Sequence, residues 1–190
     1  LVDSAGAISV LSEGSAVITA TSGDEEAIGS MTVVSSGEFV PAPAPTLPAD
    51  QVISIFSNAY ENVPVDFYNG FWEPFQTTLS ADFTANGDDV LNYTNFNFVG
   101  IQFTNPPVDG SAMDNLHMDI FIPNAVDPTE KLLIKLVDMG PDGTLDGNDP
   151  TISYEIPGPL ASQSWISVDM SLSALPSKSK LAQIILDNLG

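Results

Sequence analysis

Two stretches of the chain group residue types densely enough to do chemistry. The first is Val65–Phe75, Val-Asp-Phe-Tyr-Asn-Gly-Phe-Trp-Glu-Pro-Phe, in which five of eleven residues are aromatic against 8% in the whole chain. It shows neither strand alternation nor helical spacing, and Asn69-Gly70 and Pro74 punctuate it as a loop. Loops lie on the surface, so some of these rings are expected in solvent. A flat ring in solvent suits the C–H face of a sugar. On that reading Trp72 and Tyr68 stack on sugar rings and Phe71 or Phe75 flanks them, while Asp66, Asn69 and Glu73 meet hydroxyl groups. A second reading stays open, in which the rings plug the end of a β-sandwich. The second stretch is the acidic loop Asp138-Met-Gly-Pro-Asp142-Gly143-Thr-Leu-Asp146-Gly-Asn-Asp149. Its acids fall at positions 1, 5, 9 and 12 with glycine at 6, which is most of a calcium-loop spacing. Position 3 is Gly140 and the flanks read as strands, so the loop is no EF-hand. The spacing predicts a structural calcium on Asp138, Asp142, Asp146 and Asp149. A solvated acidic hairpin is the competing reading.

Other chemistry finds little support. His117 is the only histidine, so an imidazole cluster for a metal or a triad is absent from the sequence. A glycosidase needs two carboxylates held across the scissile bond. Glu61, Asp66 and Glu73 lie near the aromatic loop, but their spacing does not pair them. Phosphate loops, nucleophile elbows and histidine metal motifs are missing. The chain is expected to be non-enzymatic.

Charge narrows the partners. The 190 residues carry 25 Asp+Glu against 4 Lys+Arg, all four of them lysine, for a net charge of −21. Such a surface repels a phosphate backbone and an anionic membrane surface, and it accepts neutral ligands or cations. There is no cysteine, hence no disulfide or thiol chemistry. No apolar run approaches the ~20 residues of a membrane-spanning helix. The chain opens on Leu1 inside a strand-like pattern and is read as a fragment of a longer protein.

The elements that position these loops are all β, in three segments. In residues 1–37, Ala7–Leu11, Ser15–Thr21 and Ser30–Val34 read as strands, too few for an independent core. Residues 38–49 form a linker with four prolines in Pro41–Pro48, a composition that favours extended polyproline II. Residues 50–190 carry strand-like runs at 52–56, 76–83, 90–93, 97–103, 116–122, 132–138, 152–156, 165–170 and 181–186, with one helical turn expected at Ser171–Leu175. Many short strands with polar turns predict a β-sandwich or jelly roll. Alternation sets Leu116, Met118, Ile120 and Ile122 against His117, Asp119 and Phe121. It sets Ile166, Val168 and Met170 against Trp165, Ser167 and Asp169. Lys135, the one base within a strand, is expected to pair with a facing carboxylate such as Asp119.

Two resemblances add to this. Val2-Asp-Ser-Ala-Gly-Ala-Ile8, followed by Gly14-Ser-Ala-Val-Ile-Thr-Ala-Thr21, resembles the second half of a bacterial immunoglobulin-like domain of the Big type, which implies a spacer. Val52–Asp66, Tyr93–Gln102, Met113–Pro123, Lys135–Asp138 and Trp165–Asp169 resemble, in order, a β-sandwich carbohydrate-binding module. Such modules stand beside laminarinases and in surface glycan-binding proteins of marine Bacteroidota. Modules of that family carry a tryptophan early in the aromatic loop, where Phe67-Tyr68 stands here; Trp72 matches a second one. The resemblance implies non-catalytic binding of a neutral polysaccharide, β-1,3-glucan (laminarin) first. It also implies display outside the cell, outer-membrane-anchored or secreted, beside a TonB-linked glycan uptake system. An adhesive or structural surface protein without a glycan ligand is the rival reading.

Overall fold

The computed structural model describes residues 14–22, 25–35 and 40–189. The chain divides into two compact units, Leu1–Val40 and Pro41–Gly190. In the first, β1 (Gly14–Ser22) and β2 (Glu25–Ser35) form an antiparallel ribbon, with Ala16 opposite Val33 and Ile18 opposite Met31. The strand expected at Ala7–Leu11 lies outside the described residues.

The second unit is an all-β, two-layer sandwich. Its strands are β3 (Leu79–Ala81), β4 (Thr84–Ala85), β5 (Asp88–Asp89), β6 (Asn92–Thr94), β7 (Phe98–Gln102), β8 (Asn115–Phe121), β9 (Leu132–Asp138), β10 (Thr151–Glu155), β11 (Trp165–Ser171) and β12 (Leu181–Asn188). One layer is a four-stranded sheet in the order β10-β9-β12-β7; the other is the pair β11-β8, and all pairings are antiparallel. Alternation drives the layering. Val99, Ile101, Ile134, Leu136, Ile184 and Leu186 from the first sheet share one core with Val168 and Met170 from the second, and Leu116, Met118 and Ile120 pack against it. Two small ribbons, β3-β6 and β4-β5, complete the unit. The β4-β5 turn is Asn86-Gly87, both at positive φ, as a two-residue type I′ hairpin requires.

Some expectations give way. The run 52–56 pairs only through the bridge of Ser54 to Asn62, although Ile53 and Ile55 pack on the core. Only Leu79–Ala81 of the run 76–83 is strand. The expected helix at Ser171–Leu175 is the end of β11 and a single turn, Leu175 N–H donating to the Leu172 carbonyl at 3.1 Å. Among the described residues the helical element is instead a short 3-10 turn, Ala49–Gln51.

Lys135 does not meet Asp119. Its neighbours Ile134 and Leu136 point into the core, so Lys135 stands on the outer face of the four-stranded sheet. Asp119 stands on the outer face of the β8-β11 pair, bonded to Ser167. The ion pair found in this region is Lys131 with Glu155, at 2.7 Å.

Candidate functional site: the aromatic loop and the sheet face beside it

The aromatic loop begins as an added edge strand. Asp66 N–H donates to the Gln102 carbonyl at 2.8 Å, Gln102 N–H donates to the Phe67 carbonyl at 3.0 Å, and Gly70 N–H donates to the Gly100 carbonyl at 3.1 Å. This pairing covers the edge of β7, which would otherwise present open backbone groups. The Asp66 carboxylate accepts from Thr104 N–H and from Thr104 Oγ1, both at 2.6 Å. Those bonds hold its carboxyl below the usual range and fasten the loop to the end of β7.

Beyond Gly70 the chain turns at Trp72–Gln76, where Phe75 N–H and Gln76 N–H both donate to the Trp72 carbonyl. Three amide side chains lock the turn from within. Gln76 Nε2 donates to Asn69 Oδ1 at 2.5 Å and Gln76 Oε1 accepts from Trp72 N–H at 3.1 Å. Asn69 Nδ2 reaches the Thr78 carbonyl and Ser80 Oγ. Asn97 Oδ1 accepts from Thr77 N–H at 2.8 Å, and its Nδ2 donates to the Phe75 carbonyl at 2.9 Å. Gln76 and Thr78 are buried. Asn69 Oδ1 also accepts from Phe71 N–H, holding a residue whose φ of 26° is unusual for a bulky side chain.

This scaffold sorts the rings. Phe75 is 75% exposed and Phe71 40%, so two apolar rings are carried in solvent by a fully hydrogen-bonded support. Trp72 is half-buried and turns back onto the outer face of the four-stranded sheet. There it stacks on Phe98, with ring centroids 5.9 Å apart and planes 25° apart. Its benzo edge points at Gly100, where an added Cβ would come within 2.2 Å of the ring. Tyr68 goes the other way. It packs against the core with its ring edge-on to Phe56, and its hydroxyl donates to the Ile55 carbonyl at 3.0 Å. Tyr93 donates in turn to the Tyr68 carbonyl. Burial pushes both phenols upward in pKa, with a smaller upward push on Tyr93 from Tyr68.

Of the seven residues expected to contact a glycan, the structure thus puts Phe71, Glu73 and Phe75 in solvent and Trp72 half-buried at the surface. Tyr68 belongs to the core, and Asp66 and Asn69 hold the loop. The residues that sequence reading missed are Gln76, Thr78, Asn97, Phe98 and Gly100. A signal existed for one of them: an isolated glycine in the middle of the run 97–103 marks a close approach, and the approaching group is the Trp72 ring.

The acidic loop is built differently. Asp138 is fully buried. Its Oδ1 accepts from Gly140 N–H and its Oδ2 from Lys180 N–H, both at 2.8 Å. Asp142 accepts from Thr144 N–H, Asp146 from Asn148 N–H, and Asp149 from Asp146 N–H. Lys180 Nζ donates to the Pro141 carbonyl at 3.0 Å and supplies the loop with a positive charge. The four carboxylates are spread along the loop, each on a backbone donor, and do not converge. Among the described residues, no three acidic or histidine side chains gather into a group that could hold a metal ion.

On the outer face of β8-β11, His117 Nδ1 lies 2.8 Å from Asp169 and Nε2 3.4 Å from Asp119. Partial burial acts to lower the His117 pKa, but the Asp169 hydrogen bond and the charge and hydrogen bond of Asp119 outweigh it, and the net shift is upward. Phe121 and Trp165 face each other on the same side, with centroids 5.3 Å apart.

No family model, curated protein or solved structure matches the chain. No helix among the described residues is long and apolar enough to cross a membrane.

Proposed function

We propose that the second unit is a non-catalytic binding module for a neutral polysaccharide, with β-1,3-glucan as its foremost ligand. The observation that carries this reading is the 69–78 loop. Side-chain amides and backbone donors rigidly support a turn whose outward product is two solvent-exposed phenylalanine rings beside a half-buried tryptophan. Exposed apolar rings gain nothing for the fold, and a pre-ordered loop loses little entropy on binding. A net charge of −21 disfavours polyanions and leaves neutral ligands with C–H faces and hydroxyl groups as the fitting class. Display outside the cell and service to a glycan uptake system go with this reading, on the strength of the resemblance of the 50–190 segment to glycan-binding modules.

Affinity electrophoresis in gels containing laminarin, a β-1,4-glucan or no polysaccharide tests the proposal. The band is expected to be retarded in laminarin, and Phe75→Ala is expected to migrate faster there. Equal mobility in every gel would favour an adhesive or structural role. Release of reducing sugar in the same panel would replace binding with hydrolysis.

A further inference from the structure

The loop's rings are continuous with a sheet face that has its own polar groups. Facing outward on the four-stranded sheet, Gly100, Ile185, Lys135 and Ser153 form one cross-strand row from β7 to β10. The row starts at the wall made by Trp72 and Phe98 and runs over the half-buried Ile185 to Lys135. Strands lie ~4.8 Å apart, so it extends roughly 14 Å, the length of a short oligosaccharide.

Lys135 is the unusual member. Each of the other lysines is engaged: Lys131 with Glu155, Lys178 with the Met113 carbonyl and Lys180 with the Pro141 carbonyl. Lys135 is the one lysine among the described residues whose ammonium makes no ion pair or hydrogen bond. It is half-buried in the middle of a sheet with Ile185 on one side and Ser153 on the other. Holding a strongly hydrated charge there without an internal acceptor gives the fold little, whereas the ammonium's three N–H groups can donate to ligand oxygens above the sheet.

The geometry points to Lys135 as a sugar-contacting residue, in a binding track that runs from the Trp72–Phe98 wall across the outer face to β10. This rests on the glycan-binding reading above and extends it. The occupant is a neutral oligosaccharide. Asp187 and Glu155 sit diagonally from Lys135 in the same register, and with the acidic surroundings they oppose a carboxylated or sulfated chain. Mixed donors and acceptors around an apolar wall match hydroxyl groups and C–H faces.

The test is a laminarin titration of the full chain and of Lys135→Met, with thermal melts of both and a linear polyuronate as the control ligand. Methionine keeps the aliphatic stem, so an unchanged melt is expected. Laminarin affinity is expected to fall about tenfold, the usual cost of losing a charged hydrogen bond, and Lys135→Arg is expected to recover part of it. Unchanged affinity in Lys135→Met, together with weakened binding in Phe75→Ala, would overturn the track while leaving the loop reading intact. Tight binding of the polyuronate, abolished by Lys135→Met, would overturn the neutral occupant. Absence of any laminarin binding by the unaltered chain would remove the glycan reading itself, and this inference with it.

Discussion

The aromatic loop at 66–78 and the acidic loop at 138–149 are each dominated by one kind of residue, and they use their residues in opposite ways. In the acidic loop the conspicuous groups do the holding. Asp138, Asp142, Asp146 and Asp149 each accept from a backbone N–H, and their charge is answered by Lys180 above the turn. In the aromatic loop the inconspicuous groups do the holding. Asn69, Gln76 and Asn97 form the internal frame, and Phe71 and Phe75 are left outside it. Density of a residue type therefore does not say what that type is for. The question is whether the groups are spent on the loop's own backbone or remain turned to solvent.

This contrast can be broken by substitution. The largest effect is expected at Asp138. Alanine there leaves Gly140 N–H and Lys180 N–H without their acceptor, the first of them buried, at a cost of about 3 kcal/mol in a denaturant unfolding measurement. Glycan affinity of the folded fraction should not move. Next is Gly100→Ala, which drives a Cβ into the Trp72 ring. Overpacking of this kind costs ~2 kcal/mol, and displacing the ring should also weaken laminarin binding. The two substitutions thus separate a loop expected to serve the fold alone from a ring wall proposed to serve both fold and ligand.

Smaller effects sharpen the picture. His117 has a raised folded-state pKa above its ordinary 6.5. Its contribution to stability is therefore fully present below pH ~6.5 and is lost as pH rises through the raised value. A melting-temperature profile should decline gently above that point and flatten in His117→Asn, with a small amplitude because the side chain is half exposed and the pairs are screened. The smallest expected effect is that of a chelator. The acidic loop supplies its own donors, so the melting temperature is expected to be the same with and without chelator at matched ionic strength. A fall that disappears in Asp142→Ala would return the loop to the calcium reading.

Much of the fold was legible because alternation is a strong signal. The run 132–138 is the strand Leu132–Asp138, and 116–122 and 165–170 lie within a residue of their strands, with the expected residues facing inward. The runs 52–56 and 76–83 misled for two physical reasons. Ile53 and Ile55 bury their side chains without a ladder partner, so their pattern reports core contact and not pairing. Around Thr77 and Thr78 the backbone bonds to Asn69, Gln76 and Asn97, and such side-chain bonds compete with a sheet ladder. In the site, the sequence located the loop but not the direction of each ring. Tyr68 and Trp72 differ only in which side of β7 receives them: the core accepts one, and the space over Gly100 accepts the other. The sequence pattern sets Lys135 within a strand, as the structure does, but the expected partner Asp119 lies on the facing sheet, which a side chain pointing away from the core cannot reach.

The central claim is that Phe75 is exposed for a ligand and not for the fold. The direct measurement is a calorimetric titration of laminarin into the unaltered chain and into Phe75→Ala, with a thermal melt of each. Removing a ring from the centre of an interface typically costs ~2 kcal/mol, about a thirtyfold loss of affinity. The account predicts that loss at an unchanged melting temperature. Equal affinity in the two proteins, or a melting temperature that drops with the ring, would contradict it.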